Sequence, residues 1–232
     1  MPTQQRRSLL LVAATAGECE PLRQQLDLRA VGPGRWLFEN DEYFITLLLG
    51  GVGMVNTAWH LGQHMAGASP DWAVNFGIAG SFERSLALGQ VVEIREDIFS
   101  ELGAASPNGP LDLQAMGFPL FERGGEPTYN QLNNPYPSLG RWPAVRGLTV
   151  NHVHGTQPEI DATRARWQPQ VESMEGAAFF YAMLQAGVPF HALRSISNYV
   201  EPRNRAAWRI GPAIKAVNQA VLDLVHAWIQ AG

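Results

Sequence analysis

Short, wholly apolar runs recur along the chain, and most are followed by a stretch whose apolar positions fall every three or four residues. The first run, Leu9–Ala14, shows no alternation, the pattern of a strand buried on both faces. Thr15–Gly17 turns the chain. Glu18, Glu20, Leu22, Leu26 and Leu28 then predict a helix with acids in its first turn, where they complement the helix dipole. Gly32–Gly34 reads as a turn, and Trp36–Glu39 with Tyr43–Leu49 as a hairpin around Asn40-Asp41. The run G-G-V-G-M-V-N, Gly50–Asn56, opens a helix to about Met65. Trp72–Phe76, Val91–Ile98 and Leu148–Val153 are further strands, and Pro158–Arg166 is a short helix. Glu175 stands at the mouth of an apolar helix that Gly187 and Pro189 end, and Phe190–Ile196 returns as a strand. Ala206–Gln230 is amphipathic, with Ile210, Ile214, Val217, Val221, Leu224, Val225 and Trp228 on one stripe.

This alternation implies a three-layer α/β/α sandwich around a mixed, largely parallel twisted sheet, in one catalytic domain over residues 1–232. Between Ser100 and Pro143 the periodicity is lost to Pro, Gly and Asn. Met116, Phe118, Phe121 and Tyr129 mark that stretch, at about 100–143, as a functional loop or interface arm rather than a disordered linker.

Composition narrows the function. The 232 residues are 46% hydrophobic and 16% charged, enough for a sizeable core. A net charge of −4 argues against nucleic acid or an anionic membrane as partner. The single cysteine, Cys19, excludes a disulfide framework. The apolar run after Arg6 and Arg7 is too short to span a membrane, so a cytoplasmic protein is expected by default.

Candidate chemistry gathers at strand ends, where open α/β sheets bind ligands. Gly50–Asn56 is either a tight turn or a place where backbone N–H groups meet an anion or a sugar. It lacks the Gly-Lys-Ser/Thr of a nucleotide loop and the third glycine of a dinucleotide fingerprint, so no cofactor is implied. Asn75–Gly80, N-F-G-I-A-G, reads as a second small-residue turn. His152 and His154 would share a face of their strand. With no third ligand evident, hydrogen bonding is their expected role and no metal is expected. Arg194, Ser197 and Asn198 end the strand after the Glu175 helix.

Together these segments resemble the nucleoside phosphorylase/nucleosidase family, in particular its methylthioadenosine/S-adenosylhomocysteine nucleosidase branch. The matching runs are A-A-T-A-G-E ending at Glu18, N-F-G-I-A-G, S-M-E-G-A-A with Met174 and Glu175, and R-S-I-S-N from Arg194 to Asn198. Two positions depart from the branch: Asn198 replaces its catalytic Asp, and Ile78 replaces a serine. An amide donates to a carbonyl oxygen and accepts from an N7–H, which suits a 6-oxopurine. No arginine lies in Gly50–Asn56, and Arg84 is displaced from its turn. Desolvating a phosphate there would be costly, so water is the expected nucleophile. The runs M-E-G-A-A-F-F-Y and R-S-I-S-N-Y-V-E-P-R-N-R-A-A-W resemble the futalosine hydrolases.

That resemblance implies hydrolysis of a small-molecule nucleoside, futalosine, to hypoxanthine and dehypoxanthine futalosine in menaquinone biosynthesis. It implies Glu18 as the base toward water, Arg194 positioning that water, and Met174 and Glu175 on the ribose. Asn198, helped by backbone near Gly155 and Thr156, would read the base. Val52 and Trp208 would meet the 5′ substituent, with Arg203 and Arg205 candidate partners for its carboxylate. A homodimer or higher homo-oligomer is expected, the arm completing a neighbour's 5′ pocket. Competing readings are a methylthioadenosine/S-adenosylhomocysteine nucleosidase, a 6-oxopurine nucleoside phosphorylase and, more distantly, a non-enzymatic nucleoside-binding protein.

Overall fold

The computed structural model describes residues 6–67 and 69–231. Strand β1 (Arg7–Ala13) leads through a Thr15 cap into helix α1 (Ala16–Gln25). β2 (Arg29–Gly32), β3 (Arg35–Glu39) and β4 (Tyr43–Leu49) form an antiparallel meander before α2 (Met54–Met65). β5 (Trp72–Ser81) and β6 (Val91–Phe99) follow. The arm then carries β7 (Gly103–Ala104), β8 (Leu111–Asp112), α3 (Leu113–Met116), β9 (Phe121–Arg123), β10 (Glu126–Thr128) and β11 (Gln131–Asn133). β12 (Ala144–Thr149), α4 (Gln157–Trp167), β13 (Val171–Ser173), α5 (Gly176–Ala186), β14 (Phe190–Tyr199) and α6 (Ile210–Gln230) complete the fold.

The period-2 geometry of β1 serves two cores at once. Leu9, Leu11 and Ala13 face one, with Cys19 and Leu22 of α1 and Val217, Val221 and Val225 of α6. Leu10 and Val12 face the other, with Leu61 of α2 and Phe179, Phe180 and Met183 of α5. Helices therefore cover both sides of a ten-stranded sheet, as the uniformly apolar strands require.

The sheet departs from the expected, largely parallel sandwich. Parallel pairs (β1 with β4 and β5, β12 with β6 and β13, β14 with β5) are matched by as many antiparallel ones. β14 pairs with both β5 and β6, and β13 joins β12 to β5. Five strands thus close into a barrel-like ring, β5–β14–β6–β12–β13.

Other boundaries moved for local reasons. Asn75–Gly80 is no turn but the second half of β5, its small residues giving room to side chains from neighbouring elements. The strand expected over Leu148–Val153 starts at Ala144 and stops at Thr149, whose hydroxyl is held by Asp97. His152 and His154 consequently lie beyond it and share no strand face; His152 is exposed. The last helix begins at Ile210 rather than Ala206, after a short 3-10 turn at Arg205–Ala207. The arm is tied to the body: the Asn130 amide donates to Phe99 and Leu102 carbonyls, and the Ser138 hydroxyl donates to Glu93 at 2.7 Å.

Pro21 leaves a gap in the hydrogen-bond ladder of α1, and Asn218 of α6 fills the next rung. Its Oδ1 accepts from Leu22 N–H at 3.0 Å and its Nδ2 donates to the Glu18 carbonyl at 2.6 Å, replacing the bond those two groups would make with each other. The first turn of α1 is thereby fixed to the last helix.

Candidate active site

A cavity of about 330 Å³ opens where β5, β13 and β14 end against α1 and the start of α6. Its wall gathers Glu18, Val52, Met174, Glu175, Asn198 and Trp208. Arg194, Gly155, Thr156, Arg203 and Arg205 are not part of it.

Glu18 is fixed from both oxygens. Oε2 accepts from the Thr15 backbone N–H (3.1 Å) and hydroxyl (3.0 Å), while Thr15 accepts from Glu18 N–H, a reciprocal capping box. Oε1 accepts from Ile78 N–H at 3.3 Å. A side chain at Gly77 would stand 2.9 Å from that oxygen, so only glycine admits the acid.

Glu175 precedes α5. Its Oε1 accepts from Gly53 N–H at 3.0 Å and its Oε2 from Met174 N–H at 3.3 Å. The glycine run has φ of +86° at Gly53, a conformation that bends the chain onto this acid. Burial raises the Glu175 pKa; the Gly53 N–H and the Arg194 charge oppose the rise, and the Glu18 charge adds to it.

Behind this acid lies Asp97, 1% exposed. Its Oδ1 accepts from the Thr149 hydroxyl at 2.7 Å and from Ile98 N–H at 2.9 Å; Thr149 in turn accepts from Ala177 N–H in the first turn of α5. A Cβ on Gly176 would sit 2.0 Å from Asp97 Oδ2, so glycine is obligatory there. Burial pushes Asp97 up to about 7, against the pull of Thr149 and Arg194.

Arg194, expected beside the attacking water, does not reach the cavity wall. The residue is 2% exposed, and its guanidinium donates to the Leu193 carbonyl and to Asn75 Oδ1. Its charge pulls against the rise that burial imposes on both Glu175 and Asp97.

Asn198 is aimed by a bulge: β14 slips register against β5 between Ile196 and Asn198, leaving Ser197 unpaired. The Ser197 hydroxyl lies 2.8 Å from Asn198 Oδ1, and Asn198 Nδ2 donates to the Tyr199 carbonyl at 3.1 Å. These bonds set the amide's orientation and leave each end one further partner.

Val153 and His154 line the cavity where Gly155 and Thr156 were expected, because the chain has turned toward α4 by residue 155. Arg203 and Arg205 are exposed and flank Trp208, 5.6 and 5.7 Å from its ring centre. Ser197, Ile210 and Ile214 also reach the wall, as does Glu172, which carries no motif of its own. The signal for Glu172 was faint: an acid inside a three-residue strand, three positions before Glu175. No arginine or lysine appears among the described residues of the wall, and no His, Cys, Asp and Glu cluster among the described residues fits a metal.

The chain belongs to the phosphorylase superfamily, whose sequence profile matches residues 8–229. It is 34% identical to the futalosine hydrolase of Thermus thermophilus, over 75% of this chain and 78% of that one. It is 30% identical to the futalosine hydrolase of Acidothermus cellulolyticus, over 96% of this chain and 92% of that one. In three dimensions it is similar to the Helicobacter pylori 5′-methylthioadenosine/S-adenosylhomocysteine nucleosidase with butyl-thio-DADMe-Immucillin-A. The TM-score is 0.80 over 97% of this chain and 100% of that one, and at 13% identity the likeness concerns fold alone.

Proposed function

We propose that the protein is an N-glycosidase that hydrolyses futalosine to hypoxanthine and dehypoxanthine futalosine, a step toward menaquinone in the cytoplasm. The observation that carries the hydrolytic reading is the charge of the wall: it holds Glu18, Glu172 and Glu175 and no arginine or lysine. A phosphate dianion would enter against three carboxylates with no cation to receive it, whereas water carries no such penalty. The two futalosine hydrolase relatives support the choice of nucleoside.

Cleavage builds cationic character on the ribose and negative charge on the departing base. Glu18, held by Thr15 and Ile78 N–H, accepts the proton of the attacking water. Glu175, with Met174 beside it, takes the ribose hydroxyls and favours the developing cation. The Arg194 charge opposes the rise that burial gives the Glu175 pKa and so favours its ionised form, without touching substrate. Asn198 donates to O6 of the departing base; solvent water supplies the proton that N7 takes up, Asn198 then accepts from that N7–H, and Glu18 returns the proton of the attacking water to solvent. Val52 and Trp208 hold the 5′ substituent, and Arg203 and Arg205 meet its carboxylate at the rim. We further propose one catalytic domain and a homodimer or higher homo-oligomer, supported by exposed apolar side chains: Val52 in the cavity wall, Val55 and Trp59 on the helix that follows it, and Phe118 on the arm.

The test is product analysis after incubation with futalosine in phosphate-free buffer and again with phosphate. Hypoxanthine and the free sugar should appear at equal rates in both. Phosphate dependence with a sugar phosphate product would make the enzyme a phosphorylase. Faster release of adenine from methylthioadenosine would make it the other nucleosidase. Asn198→Asp should shift preference away from 6-oxo bases, and an unchanged preference refutes the role given to Asn198.

A further inference from the structure

Glu172 of β13 is 5% exposed yet reaches the cavity wall. Its Oε2 accepts from His154 Nδ1 at 2.6 Å, and its Oε1 has no hydrogen-bond donor among the described residues. Gly80 of β5 shows what it faces. A Cβ built there would lie 3.1 Å from Asn198 Nδ2 and 3.5 Å from Glu172 Cγ. A carboxylate with one free oxygen and an amide with one free N–H therefore converge over a single glycine.

We propose that Glu172 selects the purine, accepting the N1–H of a 6-oxopurine while the Asn198 amide addresses its O6 and N7 edge. This rests on the reading of the cavity as a site for a hypoxanthine nucleoside. The lactam form of hypoxanthine presents a donor, N1–H, beside an acceptor, O6. Adenine presents the reverse, a lone pair on N1 beside an N6 amine. An ionised carboxylate can only accept. It pairs with the first base and sets lone pair against lone pair with the second. A buried group left unpaired in this way rejects the wrong ligand more strongly than shape alone.

His154 is the positioning residue. Its Nδ1–H holds Oε2, and the Thr163 hydroxyl lies 2.7 Å from Nε2, so the imidazole is fixed from both sides. Glu172 raises the proton affinity of the ring, which keeps the proton between them. Oε1 is thereby turned to the cavity in one orientation.

The test is calorimetric binding of hypoxanthine, adenine and 1-methylhypoxanthine to the wild-type and Glu172→Gln proteins, beside hydrolysis of futalosine and its 6-amino analogue. Wild type should prefer hypoxanthine to adenine. The preference should shrink by about 10- to 100-fold in Glu172→Gln, since a carboxamide also donates to adenine N1. His154→Gln, which can still donate to Glu172, should keep the preference that His154→Ala loses. Without any variant, 1-methylhypoxanthine should bind wild type at least about tenfold more weakly than hypoxanthine, for want of one charged hydrogen bond. An unchanged base preference in folded Glu172→Gln, or 1-methylhypoxanthine bound as tightly as hypoxanthine, overturns the assignment. Selective hypoxanthine binding by a protein that leaves futalosine intact would sink the proposed substrate and keep Glu172's role. A wild-type preference for adenine would sink both.

Discussion

Glu18 uses one carboxylate for two purposes: one oxygen closes the cap of α1 while the other turns toward the cavity beside Ile78 N–H. Glutamine also serves in a capping box, so Glu18→Gln separates the two. That variant should fold and bind hypoxanthine while turnover falls by about 100-fold or more, measured in single-turnover assays. Full turnover would remove Glu18 from the chemistry. Asp97 makes a different prediction. Its folded pKa of about 7 lies above the usual 3.8, so the folded protein favours the protonated acid. Its contribution to stability is complete below about pH 4 and drains away as the pH rises toward 7, because the unfolded chain gives up the proton first. Urea unfolding across this range should show that decline in wild type and a flatter profile in Asp97→Asn. Equal slopes would mean that Asp97 titrates normally.

At the scale of elements, the amide of Asn218 stands in for a missing rung of α1. Asn218→Ala should leave Leu22 N–H and the Glu18 carbonyl unpaired, costing about 1–3 kcal/mol by chemical denaturation. It should lower kcat as well, since the first turn of α1 carries Glu18; a loss of stability with kcat intact would uncouple cap from catalysis. What was legible beforehand follows the same lines. β1 and α5 were readable because continuous apolar runs report burial directly, and α2 because a glycine run marks where it opens. Glu18, Met174, Glu175 and Asn198 were readable because short motifs fix them to strand ends, and all four line one cavity. Arg194 lies off the wall because a cation within a motif does not reveal which way its guanidinium points; here it turns to the Leu193 carbonyl and Asn75. β5 misled because small residues mark close approach as often as a turn. Glu172 was barely legible because its partner, His154, is supplied by a segment eighteen residues away.

For the whole molecule, Val55 is 81% and Trp59 63% exposed on α2, near Val52 in the cavity wall. An apolar surface of this kind favours self-association. Sedimentation should give a dimer or larger assembly. Trp59→Asp should weaken it and raise KM for futalosine, whereas a monomeric wild type with full activity would exclude any contribution from a second copy. Closure of the strands also bears on tolerance. Gly80, Glu172 and Asn198 sit on members of a ring whose hydrogen bonds all return to their start, so that end of the cleft behaves as a fixed die. Val52, Trp208, Ile210 and Ile214 belong to no such circuit. With the base placed as proposed, altering the heterocycle should be punished abruptly, while the opposite end of the nucleoside should tolerate lengthening or trimming with a gradual response.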